Sequence, residues 1–243
     1  TSSLVIGSGG TNEDGDITST VSANTTSGFS IVKYTGDDTA GSTVGHGLSV
    51  IPELLIWKNL DITENFGVFN SYVCTVNSAD RLYLNTTSAL VTSGADRIDA
   101  LSASLVTFGS NNSEINNTDD FIMYCFHSVE GYSRVGSYTG NGNADGPFVY
   151  TGFKPKFVIV KNADLSDDWE IYDGTFNPYN YLDLGLKPNT TGAEYALNSN
   201  NRAWDFVSNG FKVRGSNGGI NTSGDNLIYI AFAESPFKYS NAR

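Results

Sequence analysis

The sequence predicts an all-β protein composed of two tandem, homologous antiparallel β-sandwich or jelly-roll domains. Three observations lead to this prediction: a composition rich in aromatic and turn-forming residues, short apolar runs bounded by turns, and an internal repeat. With 243 residues, the chain is long enough for two domains of about 100 residues, each with its own apolar core.

The composition favours strands over helices. The chain contains 14 Phe, 13 Tyr and 3 Trp but only 1 Met, and it has 26 Gly. Aromatic side chains fit the pleated surface of a sheet, whereas Gly, Asn, Ser and Asp form turns. The sequence therefore predicts many short strands joined by polar loops.

Four apolar runs indicate buried strands. Residues 54–57 (LLIW) and 157–160 (FVIV) each come shortly after a proline and end at a Lys-Asn pair. Residues 121–126 (FIMYCF) and 227–232 (LIYIAF) form a second matched pair. Short continuous runs of this kind are typical of strands that are covered on both faces.

Other segments predict half-exposed strands, turns and one helix. Residues 28–34 and 211–214 alternate between apolar and polar side chains, which is typical of a strand with one face in water. Residues 139–142 and 215–219, which are rich in Gly, Asn and Ser, predict turns or exposed loops. Residues 94–104 are the only helix candidate.

The two halves of the chain resemble each other at a spacing of about 105 residues. In order along the chain, the matched segments are Tyr34-Thr35-Gly36 with Tyr138-Thr139-Gly140, residues 52–59 (PELLIWKN) with 155–162 (PKFVIVKN), Val68-Phe69 with Ile171-Tyr172, Tyr83-Leu84 with Tyr181-Leu182, Val106-Thr107-Phe108 with Phe211-Lys212-Val213, and Ile115-Asn116 with Ile220-Asn221. Several matches in one order indicate a duplicated unit.

The repeat spacing sets the predicted domain boundaries. It is too long for a solenoid unit of about 20–50 residues and suits a β-sandwich of about 100 residues. We therefore predict an N-terminal extension at residues 1–27 and two β-sandwich repeats at residues 28–131 and 132–243.

The charge of the chain bears on its partners. Its 26 acidic and 14 basic residues give a formal net charge of −12, which disfavours contact with a nucleic-acid backbone. No run of about 20 apolar residues is present, so the sequence predicts no insertion into a membrane.

The two histidines and two cysteines form no recognisable catalytic or metal-binding motif. His46 lies between glycines and is predicted to bond to the backbone, and His127 is predicted to have a local role, because neither is matched by a histidine in the other repeat. Cys125 is predicted to be a small buried side chain, and a disulfide with Cys74 remains an alternative. No cofactor and no metal ion is predicted.

Residues 141–146 (NGNADG) resemble the start of a calcium loop, because oxygen-bearing side chains alternate there and a glycine follows. The glutamate that would close such a loop is missing, since Gly152 occupies its position. Turn formation is the favoured interpretation, and calcium binding is the alternative.

Three aromatic residues are the candidate binding residues, because aromatic rings stack on the apolar faces of sugars. Trp169 lies next to acidic residues, which predicts partial exposure, and Tyr179 and Tyr181 lie in a segment rich in turn formers. Packing against the body of the protein is the alternative for all three. Trp57, in contrast, is predicted to lie in the core.

Several long motifs resemble a known family. These are residues 130–155 (EGYSRVGSYTGNGNADGPFVYTGFKP), 28–36 (GFSIVKYTG), 44–48 (VGHGL) and 230–243 (IAFAESPFKYSNAR). They are similar to an uncharacterised repeat domain of virion structural and tail-fibre-like proteins from phages that infect cyanobacteria and other marine bacteria. The resemblance covers the chain from about residue 28 onward.

The resemblance implies a virion surface protein, such as a tail-fibre or decoration module, that attaches to host-surface glycans without catalysis. The family has no assigned catalytic residues, so none is carried over. Other virion proteins are the expected partners, together with further copies of the chain, since fibres are usually trimers. Many copies would strengthen weak sugar contacts through avidity.

Two other functions remain as alternatives. The chain could be a polysaccharide depolymerase of a tail fibre, which would require two facing carboxylates that the sequence does not reveal. It could also be a subunit of a bacterial surface filament or adhesin.

Overall fold

The structure is a computed structural model that describes residues 9–110, 112–197 and 201–236. The fold is all-β, with 42% of the residues in strands and 2% in a helix, as the sequence predicts. The described residues divide into two compact units. The first unit contains the residues up to Tyr83 together with Val91–His127, and the second contains Leu84–Leu90 together with the residues from Ser128 onward.

The first unit consists of two antiparallel sheets. One sheet has the strand order β1-β2-β3-β10-β5-β6-β7, and the other has the order β4-β9-β8. The strands are β1 (Gly10–Asn12), β2 (Ser19–Asn24), β3 (Phe29–Thr35), β4 (Thr43–Gly45), β5 (Leu54–Asn59), β6 (Gly67–Asn70), β7 (Leu82–Tyr83), β8 (Ile98–Leu101), β9 (Leu105–Phe108) and β10 (Asp120–Phe126). Part of the predicted N-terminal extension therefore supplies strands of this unit.

The second unit also has two antiparallel sheets, with the orders β11-β19-β13-β14-β15-β16 and β12-β18-β17. Its elements are β11 (Ser133–Thr139), β12 (Phe148–Tyr150), β13 (Pro155–Asn162), β14 (Glu170–Asp173), β15 (Leu184–Leu186), β16 (Tyr195–Ala196), β17 (Trp204–Val207), β18 (Gly210–Val213), α1 (Gly218–Asn221) and β19 (Asn226–Ala233). No helix in the described part of the chain has the length and apolar character needed to cross a membrane.

The strand orders of the two units correspond. The run β3-β10-β5-β6-β7 has the same arrangement as β11-β19-β13-β14-β15, and β4-β9-β8 has the same arrangement as β12-β18-β17. The register agrees as well, because Trp57 lies opposite Gly67 in the first unit and Val160 lies opposite Glu170 in the second.

An asparagine at the end of the central strand makes the same bonds in both units. Asn59 Nδ2 donates to Asp119 Oδ2 (2.8 Å) and to the carbonyl oxygen of Ser113 (2.7 Å). Asn162 Nδ2 donates to Asp225 Oδ2 (2.8 Å) and to the carbonyl oxygen of Gly218 (2.9 Å). Each amide thus ties the loop before the last strand to the strand β5 or β13.

Aromatic side chains join the two sheets of each unit. In the first unit, the ring of Tyr34 on β3 stacks on that of Phe108 on β9, with centroids 5.3 Å apart. In the second unit, Tyr229 on β19 meets Phe211 on β18 edge-on, at 5.2 Å. Burial of such rings is the main source of stability in a two-layer β fold.

The four predicted strands are confirmed as β5, β13, β10 and β19, and Trp57 is fully buried as predicted. Coverage on both faces is not confirmed for β10, in which buried and partly exposed residues alternate. The helix predicted at residues 94–104 is wrong, because this segment contains β8, which pairs with β9. Ile98 is only 2% exposed and anchors β8 in the core, so strand pairing prevails over the local pattern.

One matched segment of the repeat does not correspond in the structure. The sequence comparison aligned Tyr83-Leu84 with Tyr181-Leu182. In the structure β6 pairs with β7 (Leu82–Tyr83), whereas the equivalent strand β14 pairs with β15 (Leu184–Leu186). The two Tyr-Leu pairs therefore match in sequence but do not occupy equivalent positions in the structure.

Candidate functional site

The segment between β14 and β15, residues 174–183, is called the tyrosine loop. Its base is tied by Asn177, which is 8% exposed. Asn177 Nδ2 donates to the carbonyl oxygens of Asp173 (3.1 Å) and Leu184 (2.9 Å). Asn177 Oδ1 accepts from the amides of Asp183 (2.7 Å) and Leu184 (2.8 Å). One side chain therefore holds both ends of the loop together.

A second asparagine attaches the far side of the loop to β17. Asn180 Nδ2 donates to the carbonyl oxygen of Phe206 (2.8 Å), and Asn180 Oδ1 accepts from the Phe206 amide (2.9 Å). Two residues further on, the Leu182 amide donates to the carbonyl oxygen of Trp204 (2.7 Å), and the Leu182 side chain is buried. The backbone around the tyrosines is thus fixed on both sides.

The tyrosines between these attachments point outward. Tyr179 is 83% exposed and Tyr181 is 49% exposed. Both side chains are therefore accessible to solvent, and their role in binding stays a prediction. Because Asn177 and Asn180 already order the loop, a ligand would not have to supply the free energy for ordering it.

A small polar pocket adjoins the loop. It has a volume of about 70 Å³, and its wall includes Asn177 and Asn180 of the loop. The other lining residues are Lys154, Pro155, Lys156, Gly174, Pro178, Leu182, Phe206 and Glu234. Lys154 Nζ lies 3.0 Å from Glu234 Oε2, and Lys156 Nζ donates to the carbonyl oxygen of Gly174 (3.0 Å). The pocket thus contains both hydrogen-bond donors and hydrogen-bond acceptors.

A second, wider depression shares two lining residues with this pocket. It has a volume of about 290 Å³ and is lined by Phe153, Lys154, Ser208, Glu234 and Ser235. Lys154 and Glu234 line both depressions, which are together called the groove. Sequence reasoning missed these lysines and Glu234, because they come from separate segments and carry no motif.

The chain matches the model of a known protein family. One family model matches residues 4–236, which is almost the whole chain. The chain belongs to the DUF7483 family. The family is described as a domain of unknown function, and a single model covers both structural units. No curated protein and no solved structure matches the chain significantly.

Trp169, the third candidate of the sequence analysis, is buried in this DUF7483 chain. It is only 5% exposed, so the expectation of partial exposure is wrong. The neighbouring acidic residues do not require Trp169 to be exposed, because each of them forms an ion pair within the protein. Asp167 lies 2.8 Å from Arg202, and Asp168 lies 2.6 Å from Lys187. Trp169 is therefore not accessible for stacking on a sugar.

A buried ionic cluster lies next to Trp169. The Glu170 side chain is 0% exposed, and its Oε1 is bonded to Arg202 Nη1. The Tyr195 hydroxyl donates to Glu170 Oε2, and Arg202 Nη2 also donates to Asp167 Oδ2 (2.8 Å). In the first unit, Gly67 occupies the position of Glu170, so this cluster is a feature of the second unit.

Burial sets the electrostatics of this cluster. Burial raises the pKa of Glu170 to about 7, although Arg202 and Lys187 act in the opposite direction. Burial also lowers the pKa of Lys161 to about 8. Lys161 Nζ donates to the carbonyl oxygens of Asn162 (2.6 Å) and Leu165 (2.8 Å).

The carboxylate of Glu170 is enclosed by the protein, where a substrate has no access to it. Both oxygens of Glu170 are bonded within the protein, and none of its side chain contacts solvent. A general acid or base needs a reacting proton within hydrogen-bonding distance, which this burial prevents. The sequence contains a signal for the burial of Glu170. Side chains alternate along a strand, so Glu170 lies on the same face of β14 as the buried Tyr172.

The histidines and cysteines have structural surroundings. His46 bonds to the backbone as predicted, since its Nδ1 accepts from the Leu48 amide (3.3 Å) and its Nε2 lies 3.2 Å from the Ser102 carbonyl oxygen. The structure also shows that it is buried. Cys74 and Cys125 are free and buried, so the alternative of a disulfide is wrong. Burial raises the pKa of both thiols to about 12, which keeps them protonated.

The loop at residues 141–146 uses its polar side chains for turns. Asn141 Oδ1 accepts from the Asn143 amide (2.9 Å), and Asn143 Oδ1 accepts from the Asp145 amide (3.0 Å). Asp145 Oδ1 lies 2.8 Å from Lys212 Nζ. Within the part of the chain that the structure describes, no group of three or more His, Cys, Asp or Glu side chains is placed to hold a metal ion.

Proposed function

We propose that this DUF7483 chain is a non-catalytic surface module of a phage virion that attaches to a host-surface glycan through the tyrosine loop. The observation that carries the proposal is the exposure of Tyr179 and Tyr181 on a loop that is already held in place by Asn177 and Asn180. A rigid loop that presents aromatic rings loses little conformational entropy when it binds.

The chemistry of the groove favours a sugar as the ligand. A sugar ring has an apolar face that stacks on tyrosine and hydroxyl groups that both donate and accept hydrogen bonds. The groove supplies lysine donors and the Glu234 acceptor beside Asn177 and Asn180 of the same loop. A nucleic acid is disfavoured by the net charge of −12.

The proposal includes a duplicated scaffold. We infer that the two units are tandem homologous β-sandwiches derived from one ancestral unit. The shared strand order and the matched bonds of Asn59 and Asn162 support this inference. A stiff scaffold of this kind suits a module that displays loops for recognition.

The virion location and the assembly follow from the likeness of the motifs to marine phage proteins. Other virion proteins and further copies of the chain are the partners in this proposal, and a trimer is the usual form for a fibre. Several tyrosine loops on one particle would combine weak contacts into firm attachment. Immunogold labelling of assembled particles tests the location, and labelling absent from the particle surface would contradict it.

Glycan binding is tested with the Tyr179→Ala/Tyr181→Ala variant. Binding to purified host-surface polysaccharide is measured by biolayer interferometry, and we expect affinity to fall by about tenfold or more, as for loss of central aromatic contacts. The control is Tyr72→Ala in the first unit, where a tyrosine is 44% exposed but lies outside the groove. Equal binding by the wild type, the double variant and Tyr72→Ala would overturn the proposed site.

The same samples test the non-catalytic character. After incubation with the polysaccharide, an assay of new reducing ends is expected to show none above the level of the heated protein. Release of oligosaccharides would contradict the proposal and favour a depolymerase.

A further inference from the structure

The strand β12 forms an open edge of the second unit. It pairs with β18 on one side only and is the last strand of its sheet. Val149 at its centre is 6% exposed, whereas Phe148 and Tyr150 on either side are 49% and 62% exposed. Because side chains alternate along a strand, Phe148 and Tyr150 lie on the same outer face.

The backbone groups of these two residues point away from the sheet. The carbonyl oxygen of Pro147 accepts from the Val213 amide (3.0 Å), and the Thr151 amide donates to the Asn209 carbonyl oxygen (3.0 Å). In an antiparallel pair, alternate residues bond to the same neighbour, so Val149 also faces β18. The amide and carbonyl groups of Phe148 and Tyr150 therefore face outward, and no hydrogen bond reaches them from the described residues.

The first unit closes the equivalent edge. Thr43 of β4 has the position of Phe148, and the amides of Asp16 and Ile17 both donate to its carbonyl oxygen (3.0 Å). Asp16 Oδ2 also accepts from the Thr43 amide (3.1 Å). An N-terminal segment therefore bonds to the edge of β4, in the place where no described residue bonds to β12.

The aromatic residues of β12 exclude an occupant of that kind. Gly45 of β4 has the position of Tyr150, and a Cβ atom at Gly45 would overlap the side chain of Asn12. A side chain as large as tyrosine could not lie beneath such a segment. The edge of β12 therefore requires a partner with space for two aromatic rings.

We propose that β12 pairs antiparallel with β12 of a second copy of this chain, about a two-fold axis at Val149. In this register Phe148 of each copy lies opposite Tyr150 of the other copy. Their outward amide and carbonyl groups then form two reciprocal pairs, which gives four hydrogen bonds, and each Phe148 ring packs beside a Tyr150 ring. A two-fold contact of this type is closed, so it produces a dimer and not a filament.

The charges near β12 permit this contact. Lys212 lies opposite Phe148 on β18 and is paired with Asp145 at 2.8 Å. Arg214 is paired with Asp205 at 2.6 Å. Charged side chains protect many strand edges from pairing, but here the nearby charges are already neutralised. Three residues bury little area, so we expect a weak dimer that forms as the concentration rises.

Sedimentation velocity over a range of concentrations tests the contact. We expect a fraction of dimer in the wild-type chain and its loss in Tyr150→Asp, because an aspartate would place two like charges beside the axis. The control is Tyr179→Asp, which changes another exposed tyrosine outside β12 and should leave the dimer unchanged. A dimer that persists in Tyr150→Asp, or no dimer at any concentration in the wild-type chain, would overturn the proposal.

Disulfide trapping tests the register. Phe148→Cys and Tyr150→Cys chains are mixed and oxidised, and the native Cys74 and Cys125 stay unreactive because they are buried. Paired residues lie about 5.5 Å apart, within the range for a disulfide, whereas the diagonal separation is about 7–8 Å. We expect crosslinked dimers in the mixture and few with either variant alone.

The two experiments are independent of the glycan proposal. Crosslinking of each variant with itself to the same extent as the mixture would refute the antiparallel register. Circular dichroism verifies that every variant is folded, and retained glycan binding by Tyr150→Asp would show that the dimer contact and the tyrosine loop act separately.

Discussion

Gly67 lies directly opposite Trp57 in the antiparallel pair of β5 and β6, and the indole of Trp57 occupies the space that a side chain at residue 67 would fill. A Cβ atom on Gly67 would overlap the indole ring. In the second unit the same register places Val160 opposite Glu170. The larger residue of the facing pair is therefore Trp57 on β5 in the first unit and Glu170 on β14 in the second.

This relationship predicts that Gly67→Ala destabilises the protein. The added methyl group would force the fully buried Trp57 to move, at a cost of about 1–3 kcal/mol in the free energy of unfolding, measured by chemical denaturation. The control is Gly10→Ala in β1, where a Cβ atom would meet nothing within 4 Å. The double variant Trp57→Val/Gly67→Ala should lose less stability than the two single changes added together, and strict additivity would contradict this explanation.

The tyrosines at matched positions predict equal losses in the two units. The Tyr34 hydroxyl donates to the Ile115 carbonyl oxygen (2.7 Å), and the Tyr138 hydroxyl donates to the Ile220 carbonyl oxygen (2.8 Å). We expect Tyr34→Phe and Tyr138→Phe each to lower the free energy of unfolding by about 1–2 kcal/mol, because a buried carbonyl loses its partner. Tyr179→Phe, on the exposed loop, should have no effect, and unchanged stability in both buried variants would contradict the prediction.

Glu170 predicts a loss of stability as the pH rises. Its pKa in the folded state is about 7, compared with 4.5 for an ordinary glutamate, so the folded state holds the proton more tightly than the unfolded state. Stability present below pH 4.5 is therefore lost as the pH rises toward 7, by an amount on the order of 3 kcal/mol. The measurement is the free energy of unfolding of the wild type minus that of Glu170→Gln across this range.

This difference should decline with pH, because the glutamine variant cannot lose the proton. Glu194→Gln, at an exposed position, is the matched control and should follow the wild type. A constant difference between wild type and Glu170→Gln would show that the carboxyl group is ionised throughout. Arg202 would then outweigh the effect of burial.

The two hydrogen bonds of Asn180 are expected to keep the tyrosine loop ordered. Asn180→Ala removes both bonds to Phe206, and we expect a loss of about 1–2 kcal/mol in the free energy of unfolding. Amide hydrogen exchange should become faster at Tyr181 and Leu182, because the loop loses its attachment to β17. Tyr179→Ala keeps both bonds and should retain the wild-type protection, and unchanged exchange in Asn180→Ala would refute the role of this attachment.

The strands could be predicted from the sequence because their signal is local. Residues 54–59 and 155–162 combine apolar side chains with a terminal Asn, and both form central strands. Residues 94–104 show the limit of such reasoning, since the segment becomes a strand only by pairing Ile98 with Phe108. That pairing depends on a neighbouring strand, which the pattern within the segment does not include.

The candidate site was predicted in part. Tyr179 and Tyr181 lie among turn formers, and their exposure agrees with that pattern. Trp169 has acidic neighbours yet is buried, because Arg202 and Lys187 neutralise those acids from distant parts of the chain. Exposure depends on which residues fold over a side chain, and sequence neighbours describe only part of that environment.

The sequence by itself determined the all-β class, the position of the central strands and the likeness between the two halves, because these depend on the order of apolar, aromatic and turn residues along the chain. Only the tertiary structure decided that Glu170 is enclosed, that Lys154 and Glu234 meet beside the tyrosine loop, and that β4 is closed while β12 is open. These features arise from contacts between residues far apart in sequence. Their burial and hydrogen bonding exist only once the sheets have assembled.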